Sequence, residues 1–223
     1  RSWEGFRHGV ELIRNGYIGE IKEINIAIGA PYKACDLPTQ NIPENIDWDA
    51  WIGPAPYRGY HMDLACPLED KRWGMWRDYK PFGGGMITDW GAHMFDIVQW
   101  ALDQDHSGPV QFNPPSTPAD SGLTFSYADG IKVTHTQWGK GNNEIQFIGS
   151  QGRLEVSRGY LRTYPNKALA KTPLKNTDTH RVYKSENHHE DWLNAIRSRS
   201  RPICDVEIGH RTASVCNIAN IAY

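Results

Sequence analysis

Cysteine is scarce in this chain: four in 223 residues, Cys35, Cys66, Cys204 and Cys216, and no two of them form a CxxC pair. That spacing argues against a zinc site or a redox pair and for free, mostly buried thiols. Net charge is equally sparse, at −2, with no lysine-rich tail or basic stripe. Nucleic acid and anionic membrane surfaces are therefore poor candidates as partners. No apolar run approaches the ~20 residues that would span a bilayer. Several signature motifs are missing too: no GxGxxG follows a hydrophobic strand, and GxxxxGK[ST], GxSxG and HExxH do not occur. The first of these absences implies that the chain holds no dinucleotide-binding fold of its own. A secretory leader is also lacking. The chain opens on Arg1-Ser2-Trp3 and stops at Tyr223 inside helical patterns, so both ends read as cut. The compartment, cytoplasmic or periplasmic, stays open.

What is present is enough apolar material for a sizeable core. Hydrophobic residues make up 39% of the chain, and aromatics 11%, including nine Trp and ten Tyr. Trp3, Phe6, Val10, Leu12 and Ile13 recur at helical spacing, and Asn15-Gly16 supplies the stop, which predicts a helix over 3–16. Residues 20–28 alternate with period two and are rich in isoleucine, the pattern of a strand with one buried face. Residues 31–80 are dense in Pro, Gly and Trp and read as a long ordered excursion serving a site or an interface. Strands are expected at Leu123–Tyr127, Ile131–Trp138, Glu144–Gly149, Gly152–Val156 and Tyr160–Tyr164, in an antiparallel meander. A polar loop at 165–180, expected to be mobile, precedes two closing helices, His188–Arg199 and Glu207–Tyr223, with Pro202 as the breaker between them. No internal repeat is found. The order implies an α+β domain over residues 1–223: an open, mainly antiparallel sheet with helices on one face. The other face, expected to be rich in aromatics, would then serve as a homo-oligomer interface.

The run Gly83-Gly84-Gly85-Met86-Ile87-Thr88-Asp89-Trp90-Gly91-Ala92-His93 carries the chemistry. Three glycines, read as a flexible turn, lead into an amphipathic helix reaching about Leu102, and Asp89 and His93 lie four residues apart near its start. Residues at i and i+4 share a helix face, so carboxylate and imidazole can point into one cavity, as proton transfer requires. The plainer alternative makes Asp89 a helix cap and His93 a satisfied polar group. Arg77, Tyr79 and Lys80 precede the turn and could bind sugar hydroxyls or simply be solvated. His188 and His189 follow Ser185-Glu186-Asn187 at a helix start, where capping competes with a role for His188 in the cleft. Trp48, Trp51, Trp73 and Trp76 suit core packing better than stacking on a ligand. No metal site is expected.

Five segments in order resemble the C-terminal domain of the Gfo/Idh/MocA oxidoreductase family. They are RSWEGFRHGVELIRNGYIGEIKEINI, IDWDAWIGPAPYRGYH, WRDYKPFGGGMITDWGAHMFDIVQWAL, IQFIGSQGRLEVSRG and the closing stretch from Ser185 to Tyr223. The resemblance implies a two-domain enzyme. An N-terminal Rossmann domain, missing from this chain, would bind NAD or NADP, and the domain seen here would supply the substrate wall and the oligomer sheet. It further implies that His93 serves the hydroxyl of a sugar, polyol or glycoside as proton acceptor or donor, while Asp89 orients that hydroxyl or tunes the histidine. The family's catalytic lysine lies in the missing half, so the fragment alone is expected to be inactive. Two alternatives stand beside a redox enzyme: a glycosidase of the same family in which NAD is reduced only transiently, and a non-catalytic oligomerisation module.

Overall fold

The structure, a computed structural model, describes residues 1–67, 69–72, 74–136, 138 and 143–223. Among these residues the α-helices are α1 (Glu4–Arg14), α2 (Trp48–Ile52), α3 (Trp90–Ala101), α4 (His188–Ser198) and α5 (Val206–Ala222). The described strands are β1 (Ile21–Ala27), β2 (Gln111–Asn113), β3 (Thr124–Ser126), β4 (Lys132–His135), β5 (Glu144–Gly149), β6 (Arg153–Ser157) and β7 (Tyr160–Tyr164). The α+β reading holds, and the strands form one open sheet in the order β2-β3-β4-β1-β5-β6-β7. It is antiparallel throughout except where β1 runs parallel to β4, with Ile24 opposite Val133. The meander is thus split: β1, early in sequence, is inserted between β4 and β5. Of the expected strand 131–138, Thr136 and Trp138 are not strand, and Gln137 lies outside the described residues, as does Trp73.

The period-two pattern acts as expected. Ile24, Ile26, Val133, Ile145, Phe147, Leu154 and Val156 leave the sheet on one face and meet Phe6, Val10, Met94, Phe95, Val98, Val215 and Ala219 from α1, α3 and α5. Burying a side chain of this size contributes about 1.5–3 kcal/mol, so this layer dominates stability. The opposite face is more polar than anticipated. Asn25 donates to Gln146 at 3.3 Å and Gln146 to Glu155 at 2.9 Å, while the aromatics there, Tyr160 and Tyr164, lie under Arg162 and Arg153.

Two clamps fix α1 on α3. Arg1, its side chain 2% exposed, is held by Asp96 at 2.8 Å and by Asp105 at 2.7 Å. At the other end Arg14 donates to the Trp100 carbonyl at 2.9 Å, where the C-terminus of α3 favours a cation. The excursion builds a second, smaller core from Trp48, Ile52, Tyr60, Leu64, Ala65 and Tyr79. Trp48 stacks on Trp51 at 4.8 Å and donates to the Arg58 carbonyl, so these two tryptophans pack as the sequence suggested. The loop after β7 contains a 3-10 turn, Lys167–Lys171, and is tied to the body by Tyr17 to Asp178 at 2.7 Å and Asn15 to His180 at 2.8 Å. All four cysteines are free, but only Cys216 is buried; Cys35 and Cys66 are partly covered and Cys204 is exposed.

The excursion returns to the body at the glycine turn. Gly83 donates to Trp76 O at 3.1 Å, Gly84 to Tyr79 O at 3.1 Å and Gly85 to Arg77 O at 2.7 Å, and Met86 then donates to Ala30 O at 2.9 Å. Gly84 and Gly85 both sit at φ +75°. A Cβ on Gly83 would collide with the Arg77 backbone, and one on Gly85 with the backbone at Pro31–Tyr32. These glycines answer close backbone packing, which replaces the flexible turn read from the sequence. Gly85→Ala should therefore cost about 2–4 kcal/mol in urea unfolding, combining a left-handed φ with a backbone collision. A cost below about 1 kcal/mol would mean that the turn is loose.

His135 is fully buried, its Nδ1 paired with the Tyr223 hydroxyl. Burial lowers its pKa from 6.5 to about 4. Because the folded pKa is depressed, the unfolded chain binds the extra proton first, and stability is lost as pH falls from about 6.5 to 4. The loss should reach about 3 kcal/mol more in the wild type than in His135→Gln, measured by unfolding at pH 7 and pH 4. Parallel pH dependences would contradict this.

Candidate functional site

The glycine turn delivers the chain directly into α3. Asp89 occupies the N-cap position, yet its side chain makes no capping hydrogen bond. It lies instead 3.5 Å from the Arg77 guanidinium, whose other side rests on the Trp76 ring at 4.5 Å. The cap reading of Asp89 thus has no hydrogen bond behind it.

One turn on, His93 lies on the wall of a cavity of about 510 Å³ framed by the start of α1, by α3, by α5 and by the β6–β7 hairpin turn. His188, the first residue of α4, lines the same cavity, so the structure brings together two of the residues singled out from sequence. Asn187 caps that helix, accepting from His189 N at 3.0 Å and Glu190 N at 3.3 Å, and leaves the His188 ring free of the capping role. Asp89 and His93 share no hydrogen bond, and Asp89 and Arg77 are not among the cavity's lining residues. Tyr79 is 8% exposed inside the small core. Lys80 is exposed, its ammonium 5.1 Å from the centre of the Tyr32 ring.

Two residues beside His93 escaped the sequence reading. Trp90 sets its edge against the His93 ring at 5.4 Å, and Arg158, on the hairpin turn, covers the opposite aromatic surface of Trp90 at 4.5 Å. Asp96 lines the cavity too, engaged by Arg1 and, at 3.2 Å, by the Thr212 hydroxyl. Trp90 stands inside the motif and Asp96 just after it, both within reach of helix periodicity. Arg158 left no signal, since only the folded hairpin brings it to α3.

Burial holds the His93 pKa below the ordinary histidine value, aided by the Arg158 charge and opposed by Asp89 and Asp96. A histidine in that condition is neutral near pH 7 and can accept a proton. Among the described residues, the glycine cluster is not a phosphate-binding loop. Each amide of the glycine cluster already donates to a backbone carbonyl, so the turn cannot cradle a pyrophosphate in the manner of a phosphate-binding loop. Among them there is also no group of three or more His, Cys, Asp or Glu able to hold a metal ion, and no helix is long and apolar enough to cross a membrane.

Residues 30–223 match the C-terminal alpha/beta domain of the Gfo/Idh/MocA oxidoreductase family. No curated protein sequence matches the chain. Among solved structures, an NAD-binding protein from Listeria innocua superposes with a TM-score of 0.55 at 17% identity, covering 100% of this chain and 62% of that one. The WlbA dehydrogenase from Bordetella pertussis, in complex with NADH and UDP-GlcNAcA, gives 0.52 at 12% identity, covering 99% and 58%. At these identities the likeness shows the fold alone, and the chain spans less than two thirds of each structure. With the family match covering most of its length, the chain belongs to the Gfo/Idh/MocA oxidoreductase family and comprises its C-terminal alpha/beta domain.

Proposed function

We propose that this chain is the substrate-binding domain of an NAD(P)-dependent oxidoreductase that acts on a hydroxyl of a sugar, polyol or glycoside. The observation that carries the reading is the placement of His93: a neutral imidazole on the wall of a cavity large enough for a monosaccharide, rigidly launched by the glycine turn. Removing hydride from a carbinol carbon requires loss of the hydroxyl proton, and His93 is the group we assign to accept it. His188 faces the same space and suits a hydrogen bond to a neighbouring hydroxyl. Asp89 acts on His93 by its charge, raising the pKa against burial, and braces Arg77, which we assign to the substrate entrance.

A nicotinamide cofactor is the hydride acceptor that this class of reaction needs, and its binding belongs to residues outside this chain. The domain on its own is then inactive. Two family relations support this assignment: the match to an oxidoreductase C-terminal domain, and the NADH carried by the WlbA structure. We further assign the uncovered sheet face to self-association. Its polar ladder and arginine-covered tyrosines suit an interface that is partly hydrated.

The direct test uses the full-length gene product. After purification and denaturation, mass spectrometry of the supernatant should detect NAD(H) or NADP(H), or the protein should take up one of them on titration. Failure of both would overturn the oxidoreductase reading and favour an assembly module.

A further inference from the structure

The cavity beside His93 contains a cation whose charge bears on the His93 pKa but whose hydrogen-bond donors the proposed proton transfer does not use. Arg158 lies in the turn between β6 and β7, with its guanidinium over Trp90, and it makes no ion pair among the described residues. The other arginine of the cavity, Arg1, is in the opposite condition. Asp96 and Asp105 each engage it through two hydrogen bonds between 2.7 and 2.9 Å, and Asp96 also accepts from Thr212. Most of the remaining wall is apolar or histidine: Phe6, Ile97, Ile203, His93 and His188. Arg158 therefore faces the cavity with unused donors, and stacking on Trp90 restricts its orientation in advance. Guanidinium is the side chain best suited to bidentate recognition of a carboxylate or a phosphate, and prior orientation lessens the entropy lost when such a group binds.

We propose that Arg158 is a specificity-determining residue and that the His93 cavity takes an anionic sugar, one bearing a carboxylate or phosphate away from the hydroxyl to be oxidised. This rests on the oxidoreductase reading for the sugar, but the anion contact stands on the geometry of Arg158 alone. It predicts discrimination between substrates of similar shape. A charge-assisted pair of this kind is worth about tenfold or more in affinity.

The experiment measures binding of glucuronate, glucose 6-phosphate and glucose to the full-length protein by titration calorimetry with the oxidised nicotinamide nucleotide present. Wild type should bind at least one of the two anions about tenfold more tightly than glucose. The better anion distinguishes carboxylate from phosphate. Arg158→Ala should reduce that anion to the level of glucose, Arg158→Lys should keep part of the preference, and glucose should respond to neither. Arg158 is exposed on a hairpin turn, and unchanged melting temperatures would show that both variants fold. Equal or absent binding of all three sugars by wild type would overturn the proposal, as would equal losses for glucose and anion in Arg158→Ala. Weakened nucleotide binding with sugar binding intact would overturn it too, assigning Arg158 to the cofactor. An Arg158-dependent anion preference in a protein that oxidises no sugar would instead leave the anion site standing and remove the oxidoreductase reading.

Discussion

Close backbone packing at Gly83–Gly85 is the constraint on which the site depends. Three successive amides donate into the excursion, the next donates to Ala30, and two of the three glycines leave no room for a Cβ. Position and direction of α3 follow from that junction. Since His93 stands one turn from the helix start, any slack in the turn would be transmitted to the imidazole. Main-chain hydrogen bonds thus preorganise the proton acceptor proposed here, and they hold a geometry more tightly than flexible side chains can.

The remaining frame supports the same element from other sides. Arg1 and Arg14 tie α1 along α3, and the sheet supplies an apolar floor through Ile145, Phe147 and Leu154. Burying Arg1 against two aspartates is costly in desolvation, and removing one partner of such a pair costs several kcal/mol, so the clamp contributes more to specificity of arrangement than to net stability. The small core of the excursion has another effect. By packing Trp48, Tyr60 and Tyr79 together it supports the segment that presents Arg77 to Asp89. Fold and electrostatics meet at this point, where the Asp89 and Arg158 charges oppose one another in setting the His93 pKa.

Local pattern made much of this legible. Period-two alternation revealed β1, β5, β6 and β7, and helical spacing revealed α1, α3 and α5, because each buries one face against the common core. Partner choice was not legible: nothing in the sequence of Ile21–Ala27 says that it lies parallel to Lys132–His135, since the same alternation suits any neighbour. In the site, the spacing of Asp89 and His93 put both near the start of one helix. It did not reveal that Asp89 faces Arg77 while His93 faces the cavity, which depends on the backbone at the N-cap. The glycines were misread as flexible because φ preference and close packing call for the same residue. Arg158 and His188 come to His93 only through tertiary packing of a hairpin turn and a distant helix.

His93 is proposed to accept the hydroxyl proton, and steady-state kinetics of the full-length protein on its oxidised sugar test this most directly. Reduced nicotinamide formation should fall about 10²–10⁴-fold in kcat for His93→Ala, with KM nearly unchanged, as expected for loss of a proton acceptor rather than a binding contact. The wild-type acid limb should lie below the ordinary histidine range near pH 6.5 and vanish in the variant, because burial and Arg158 favour the neutral ring. A variant that keeps kcat within about twofold and retains the acid limb would contradict the account.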